Sequence, residues 1–210
     1  MLSVKVWGEL ACFTRPESKV ERVSYPVMTP SAARGILEAI YWRHGIRWEV
    51  REIWVLNPIN YFSIMTNEVE NIAKPEAAME GSVLVVDKCR VQRHTLALRD
   101  VSYIIKAEMK ASPELDEPIN ACVQHFCKAI SVGSCRHTPS FGLRELVAYF
   151  SEPEGSEMPQ AIDQTLGMMI FDTYRDIEEP EKNRRIFFEG QIKKGVLRVP
   201  GDLYDQLWGD

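Results

Sequence analysis

The chain has 210 residues, 45% of them hydrophobic and 26% charged, with 12 Gly and 12 Pro, enough to bury a core as one large or two small domains. No stretch reaches the roughly 18 to 20 apolar residues of a membrane span, and the start, MLSVKVWGEL, has neither a basic leader nor a small-residue cleavage site, so a cytoplasmic protein without a membrane partner is expected. Its 25 basic and 30 acidic side chains give a net charge of −5, which taken alone argues mildly against a polyanionic partner.

That average hides an asymmetry. Residues 1–144 hold 18 basic and 16 acidic side chains, whereas 145–210 hold 7 and 14, so the two parts carry +2 and −7. Within the first part the acids gather at Glu68, Glu70, Glu76 and Glu80 and again at Glu114, Asp116 and Glu117. Lys88 to Lys106 is left with five basic residues against the single acid Asp100. A local basic surface is therefore compatible with the acidic total. Five cysteines (Cys12, Cys89, Cys122, Cys127, Cys135), an odd number without a secretion signal, point to reduced thiols.

In chain order, Ser3 to Phe13 is a β-branched and aromatic run that predicts a first strand, with Gly8 as a bulge. Thr29-Pro30 then supplies an N-cap and a first-turn proline, and Ala33, Ile36, Leu37, Ile40 and Tyr41 recur at helical spacing up to Gly45, predicting a helix over 30–44. Gly35 inside it costs roughly 1 kcal/mol relative to Ala, which suggests that another backbone comes close there. Arg47 to Asn57 predicts a second strand, bent and continued by Tyr61 to Met65 beyond Asn57-Pro58. The polar, acidic stretch Asn67 to Gly81 is expected to be a surface connection.

Val83 to Val86 and Val101 to Met109 give further strand signals, with the basic residues 87–100 between them. Glu117-Pro118 opens a second helix that shows Ile119, Cys122, Val123, Phe126 and Ile130 on one face until Gly133, and a strand over Leu143 to Phe150 follows. Residues 1–150 thus run strand, helix, strand, strand, helix, strand. This is the α+β, ferredoxin-like (RRM-like) βαββαβ order, with two helices on one face of an antiparallel sheet and the other face open. Residues 151–210 hold Met168 to Phe171 and the runs Ile186 to Ile192 and Val196 to Val199, joined at Lys193-Lys194-Gly195, which predict a small antiparallel β extension.

Histidine alone titrates near neutrality unperturbed, so His44, His94, His125 and His137 are the acid/base candidates. His44, in the last turn of the first helix, is fully accounted for by the helix dipole. His125 lies on a helix and His137 in a loop. His94 follows Gln92-Arg93 in the basic stretch, among donors suited to a phosphodiester. Cys122, His125, Cys127, Cys135 and His137 lack the spacing of a zinc site, and Cys122 and Cys127 point in different directions on a helix. Tyr41 and Trp42, beside Arg43, His44 and Arg47, combine aromatic rings with cations as RNA-binding surfaces do, although Tyr41 also completes an apolar helix face. There is no Walker A loop, G-x-G-x-x-G, G-x-S-x-G or H-E-x-x-H, so nucleotide hydrolysis and ordinary serine or zinc hydrolysis lose support.

Four strings, FTRPESKVERVSYPVMTPSAARGILEAIYW (13–42), IRWEVREIWVLNPI (46–59), QRHTLALRDVSYIIKAEM (92–109) and PSFGLREL (139–146), closely resemble the CRISPR-associated RAMP endoribonucleases of type I-C (Dvulg subtype) systems, in Cas family five. The match spans essentially the whole chain. The resemblance implies a ferredoxin-like RAMP domain over 1–150 that recognises and cuts RNA, and a β extension over 151–210. It implies processing of precursor CRISPR RNA within its repeat hairpins. Retention on the mature guide, beside the backbone and large subunits of the type I-C surveillance complex, follows in the same family.

Cleavage in that family needs no metal or other cofactor and uses a tyrosine of the first helix with an adjacent Lys-His pair. Tyr41 matches the tyrosine, and Arg93-His94 stands for the pair, with Arg keeping the positive charge but not readily donating a proton. The implied chemistry is attack of a 2′-hydroxyl on the adjacent phosphorus, giving a 2′,3′-cyclic phosphate and a 5′-hydroxyl. His94 would be general acid or base, Tyr41 would orient or deprotonate the 2′-hydroxyl, and Arg93 would stabilise charge on the phosphorane. Arg43, Arg47, Lys88, Arg90 and Arg99 are the expected RNA-binding cations. If the pair falls elsewhere, Arg93 and His94 join them. A non-catalytic subunit that grips the 5′ end of the guide is the alternative, and a metal-dependent nuclease is a third.

RNA affinity is expected to fall with salt through Arg43, Arg47, Lys88, Arg90, Arg93 and Arg99. Neutralising these side chains should flatten the slope of log affinity against log salt in a binding titration. Neutralising acids in 145–210 should leave that slope nearly unchanged.

Overall fold

The computed structural model describes residues 1–18, 20–70, 74–79, 81, 83, 85–174 and 183–208. Nine strands and four α-helices follow in the order β1 (Leu2–Ala11), β2 (Arg22–Val23), α1 (Pro30–Ile40), β3 (Ile46–Val55), β4 (Asn60–Val69), α2 (Pro75–Met79), β5 (Arg90–Ala111), α3 (Ile119–Ser131), β6 (Tyr149–Ser151), β7 (Gln164–Tyr174), β8 (Arg184–Lys193), β9 (Val196–Arg198) and α4 (Leu203–Trp208). All nine strands lie in one sheet, ordered β6-β1-β5-β3-β9-β8-β7, with β2 and β4 added along β5. Apart from the parallel β2–β5 pair, its pairings are antiparallel.

The order follows from which faces the sequence makes apolar. Val4 and Val6 of β1, Trp48, Val50, Ile53 and Val55 of β3, and Tyr103, Ile105 and Ala107 of β5 are all buried in one core with Ile36, Leu37 and Ile40 of α1 and Cys122, Phe126 and Ile130 of α3. The Trp48 and Phe126 rings lie 4.7 Å apart at 57°, a tilted contact that adds about 0.5–1.5 kcal/mol beyond area burial. β3 slips register between Val50 and Glu52, which keeps Trp48, Val50, Ile53 and Val55 on the core side.

α1 starts as its sequence predicts, with the Thr29 hydroxyl accepting from Ala32 N at 3.2 Å and Pro30 in the first turn. It ends at Ile40 and not at 44. Tyr41 is extended (φ −144°, ψ 120°), because the last carbonyls are taken from outside: Ala39 O accepts from Arg136 N (2.9 Å) and His137 N (3.2 Å), and Tyr41 O accepts from Trp48 Nε1 at 3.4 Å. His44 is therefore outside the helix, where it faces Glu114 (3.3 Å) and not a helix dipole. At Gly35 an added Cβ would meet nothing within 4 Å, so no backbone crosses there. Gly8 in contrast is no bulge. It pairs in register with Val101, and a Cβ there would sit 2.7 Å from Val147 O and 2.8 Å from the Phe141 ring.

The basic residues 87–100 do not lie between two strands. They belong mostly to β5, one strand of 22 residues whose first half pairs with β4. Tyr61 to Met65 accordingly lies in a separate strand and does not prolong β3. Of the stretch Asn67 to Gly81, part is strand and Pro75–Met79 is helix, while 71–73 and 80 lie outside the described residues. Val83 and Val85 are not in a strand, Leu84 lies outside the described residues, and Val86–Lys88 is a short 3-10 turn. The strand expected over Leu143 to Phe150 shrinks to Tyr149–Ser151, since Leu143 to Leu146 form a turn.

The sheet face opposite α1 and α3 is also not left open. Lys5 of β1 lies 3.3 Å from both Glu154 and Glu157, and Gln160 binds β3 through its backbone N–H to Val55 O (2.8 Å) and its side-chain Nε2 to Leu56 O (2.7 Å). The segment 152–163 therefore crosses this face as a strap, and Ser102 and Ile104 beneath are 8% and 4% exposed. Backbone N–H groups of Glu154 and Gly155, each 2.8 Å away, hold the Glu157 carboxylate and lower its pKa to about 2.

β7, β8 and β9 continue the sheet from the β3 edge, where Glu52, Ile53 and Trp54 pair with Arg198, Leu197 and Val196. The β8–β9 turn at Lys194-Gly195 (φ 48° and 74°) is where the sequence puts it. α1 is bound to β7 by Arg34, whose Nε and Nη2 donate to Asp172 at 2.7 and 2.9 Å, with Nη1 on Glu38 at 2.5 Å. Burial opposes the charge, but these carboxylates keep the guanidinium pKa above its ordinary value.

Asp172 is 4% exposed, so removing it strands a charge. Asp172→Ala is expected to destabilise the protein by about 3 kcal/mol in urea unfolding, whereas replacing both partners by apolar residues should cost less than either single truncation.

Candidate active site

The interruption of α1 at Ile40 decides what its end can do. Because Tyr41 leaves the helix in extended conformation, its side chain lies along α3, with its ring centroid 6.2 Å from that of His125. The phenol is desolvated and bonded to the thiol of Cys122, which is itself 0% exposed, and Glu117 lies nearby. These neighbours push the Tyr41 pKa up to about 12. Tyr41 is thus a phenol that keeps its proton across the physiological range.

Glu117, just before α3, ties the group together. Its carboxylate is 2.8 Å from Arg43 Nη1, 4.0 Å from His125 Nδ1 and 3.8 Å from Cys122 Sγ. Arg43 Nε also donates to Asp116 at 3.1 Å, and that bond is the first cause of the raised Arg43 pKa and lowered Asp116 pKa. Arg47, on the adjoining end of β3, places its guanidinium 5.2 Å from the centroid of the Trp208 ring. The cluster holds a proton-bearing phenol, a half-exposed imidazole and a cation in one place. This set can orient a hydroxyl, move a proton and stabilise a phosphorane.

Arg93 and His94 are not part of it. They lie 18 and 17 positions from Ala111, the β5 residue paired with Ile46 next to this cluster, which at about 3.3 Å per residue is more than 50 Å of strand. Arg93 Nε is 3.4 Å from Glu68, a carboxylate shared with Arg22 at 2.5 Å. His94 sits opposite Met65 on the exposed β4–β5 ribbon. Of the other basic candidates, Lys88 ends the 3-10 turn, Arg90 faces Asp87 at 2.9 Å, and Arg99 lies over the Phe62 ring at 5.2 Å and beside Asp100 at 3.6 Å.

The expected cations therefore form two groups. Arg43 lies beside Tyr41 and Arg47 packs on Trp208 at the nearby end of β3, while Lys88, Arg90, Arg93 and Arg99 accompany His94 towards the other end of β5. Sequence reasoning names His125 among the four acid/base candidates but does not place it with Tyr41, and it does not single out Glu117 as a site residue. The available signal was spacing, since His125 is one helical turn after the buried Cys122 and so borders the face that meets α1. Cys122 is buried and Cys127 exposed on the same helix. Among the described residues no three His, Cys, Asp or Glu side chains are grouped to hold a metal, and no helix is long and apolar enough to cross a membrane.

Comparison with known proteins matches the chain to one family. Residues 1–200 match the family model described as CRISPR-associated protein (Cas_Cas5). A relative from Thermus thermophilus, named CRISPR pre-crRNA endoribonuclease Cas5d, is 41% identical over 99% of this chain and 94% of its own length. Another of the same name, from Mannheimia succiniciproducens, is 36% identical over 95% of this chain and 94% of its own. A crystal structure of a CRISPR-associated protein superposes with a TM-score of 0.69 at 21% identity, covering 95% of this chain and 91% of the other, and so shares the fold. With the family model spanning nearly its whole length and both curated relatives well above 30% identical, the chain belongs to the Cas5d family of CRISPR-associated proteins.

Proposed function

We propose that this chain cuts precursor CRISPR RNA within its repeats and stays on the mature guide, in the cytoplasm, as a subunit of a type I-C surveillance complex. The observation that carries the reading is the meeting of Tyr41, Arg43 and His125 in a chain whose full-length relatives are named pre-crRNA endoribonucleases. The cutting unit is a ferredoxin-like RAMP domain, residues 1–150, extended by 151–210. The β6-β1-β5-β3 strand order, with α1 and α3 on one face, supports that assignment.

The reaction is transesterification. The 2′-hydroxyl oxygen bonds to the adjacent phosphorus, its proton passes to a base, the bond from phosphorus to the 5′-oxygen breaks, and that oxygen takes up a proton. His125, more than half exposed, moves the protons. Tyr41, with a pKa near 12, donates a hydrogen bond and does not act as the base. Arg43 turns from Asp116 and Glu117 to the phosphorane oxygens. Arg93 and His94 leave the catalytic set and, with Lys88, Arg90 and Arg99, hold the RNA backbone along the β4–β5 ribbon.

Single-turnover cleavage of a cognate repeat hairpin is the test. Tyr41→Phe and His125→Ala should each slow cutting by about 10²-fold or more, with RNA affinity little changed and activity retained in EDTA. His94→Ala should weaken binding and leave the rate at saturating protein intact. If His94→Ala abolishes cutting while His125→Ala does not, the acid/base role returns to His94. A 2′-deoxy nucleotide at the cleavage position should stop the reaction.

The alkaline behaviour is a second check. A raised tyrosine pKa stabilises the folded state below the unfolded value of about 10, and that contribution disappears as pH climbs towards the folded value of about 12. The difference in phenolate absorbance between wild type and Tyr41→Phe should therefore appear near pH 12 and not near pH 10.

A further inference from the structure

The reaction uses the side of the α1 terminus that faces α3, and the next residue points elsewhere. Trp42 follows Tyr41 directly and is 46% exposed, an uncommon setting for the largest apolar side chain. The Arg136 guanidinium lies 4.5 Å from its ring centroid, within cation–π range. The pair is held from its backbone. Tyr41 N donates to Leu37 O at 2.9 Å, and Arg136 N and His137 N close on Ala39 O. Among the described residues, no other ring or cation lies over the indole.

Beside the pair, a groove of about 670 Å³ runs from Ala39 and His137 past Gly35, Thr138 and Ser140 to Arg144. Its hydroxyls and guanidinium suit a ribose and phosphate, and the open space over Gly35 leaves it unobstructed.

We propose that Trp42, backed by Arg136, is a stacking platform for one unpaired nucleobase of the RNA next to the cleavage position. This rests on the function proposed above. A flat ring with a cation on one face and solvent on the other is complementary to a base, and one residue along the chain the Tyr41 phenol would meet the adjoining sugar. Arg136 serves the platform by fixing the ring, while the groove takes the strand that leads away from it.

Fluorescence anisotropy with a repeat hairpin carrying single-stranded flanks and a 2′-deoxy cleavage nucleotide reads binding without turnover. Trp42→Ala should weaken binding about tenfold, the loss expected for one base–aromatic stack, and Trp42→Phe should restore most of it. In a series of RNAs each abasic at one unpaired position, one position should weaken wild-type binding by a similar factor, and there Trp42→Ala should add nothing. Because Trp42 is exposed, circular dichroism of the variant should match wild type.

Wild-type affinity in Trp42→Ala, or losses that multiply at every abasic position, would overturn the platform while leaving the cleavage reading intact. A wild-type protein that cuts no repeat RNA but shows the Trp42-dependent abasic pattern would remove the cleavage reading and keep the platform. A wild-type protein that does not bind the hairpin at all would overturn both.

Discussion

One strand organises this molecule. β5 runs unbroken for 22 residues and hydrogen-bonds to β1, β2, β3 and β4, so a shift of its register by one residue would turn its own core side chains outwards and disturb four pairings at once. Its two halves have different surroundings. From Val101 to Ala107 it is buried between the helices and the strap, apart from a partly exposed Lys106, and reads as an almost continuous apolar run. From Arg90 to His94 it has no buried residue and, with β4, forms an exposed ribbon, while Thr95, Ala97 and Leu98 return to the interior. The strand thereby sets the distance between the two groups of candidate side chains, one towards each of its ends.

This division explains what the sequence disclosed. Signals that are local in the chain were legible: the Thr29-Pro30 start of α1, the apolar face of α3 up to Gly133, and the Lys194-Gly195 turn. The basic stretch 87–100 hid a strand because the less exposed side of the alternation carries Val91, Arg93, Thr95 and Ala97, of which only Val91 and Ala97 are apolar, so the period-two apolar signature is weak. The end of α1 was hidden for the opposite reason. Its apolar spacing continues through Tyr41, and only carbonyl bonds to residues 136 and 137 and to Trp48, remote in sequence, stop it. That same event turns Tyr41 towards α3, so Tyr41 and His125 were each visible as candidates in the sequence while their meeting was not.

Electrostatics link the two sites. Arg43 is held by Asp116 and Glu117, and Arg22 and Arg93 share Glu68, so these cations already have carboxylate partners in the free protein. Partly exposed pairs of this kind contribute about 0–1 kcal/mol. Exchanging such a carboxylate for another anion would therefore cost little. The acidic total that first seemed adverse to nucleic acid includes these holding groups.

The pairing of β9 with β3 has a consequence in time. Trp54 bonds to Val196, 142 positions later in the chain. At about 5–20 residues per second of synthesis, the β3 edge waits roughly 7 to 30 seconds on the ribosome for its partner. During that interval the Trp48 to Val55 strand presents an open hydrogen-bonding edge, which favours association with other nascent chains. Slower translation of 56–196 would lengthen that exposure, and a chain ending before Val196 would leave the edge without this partner.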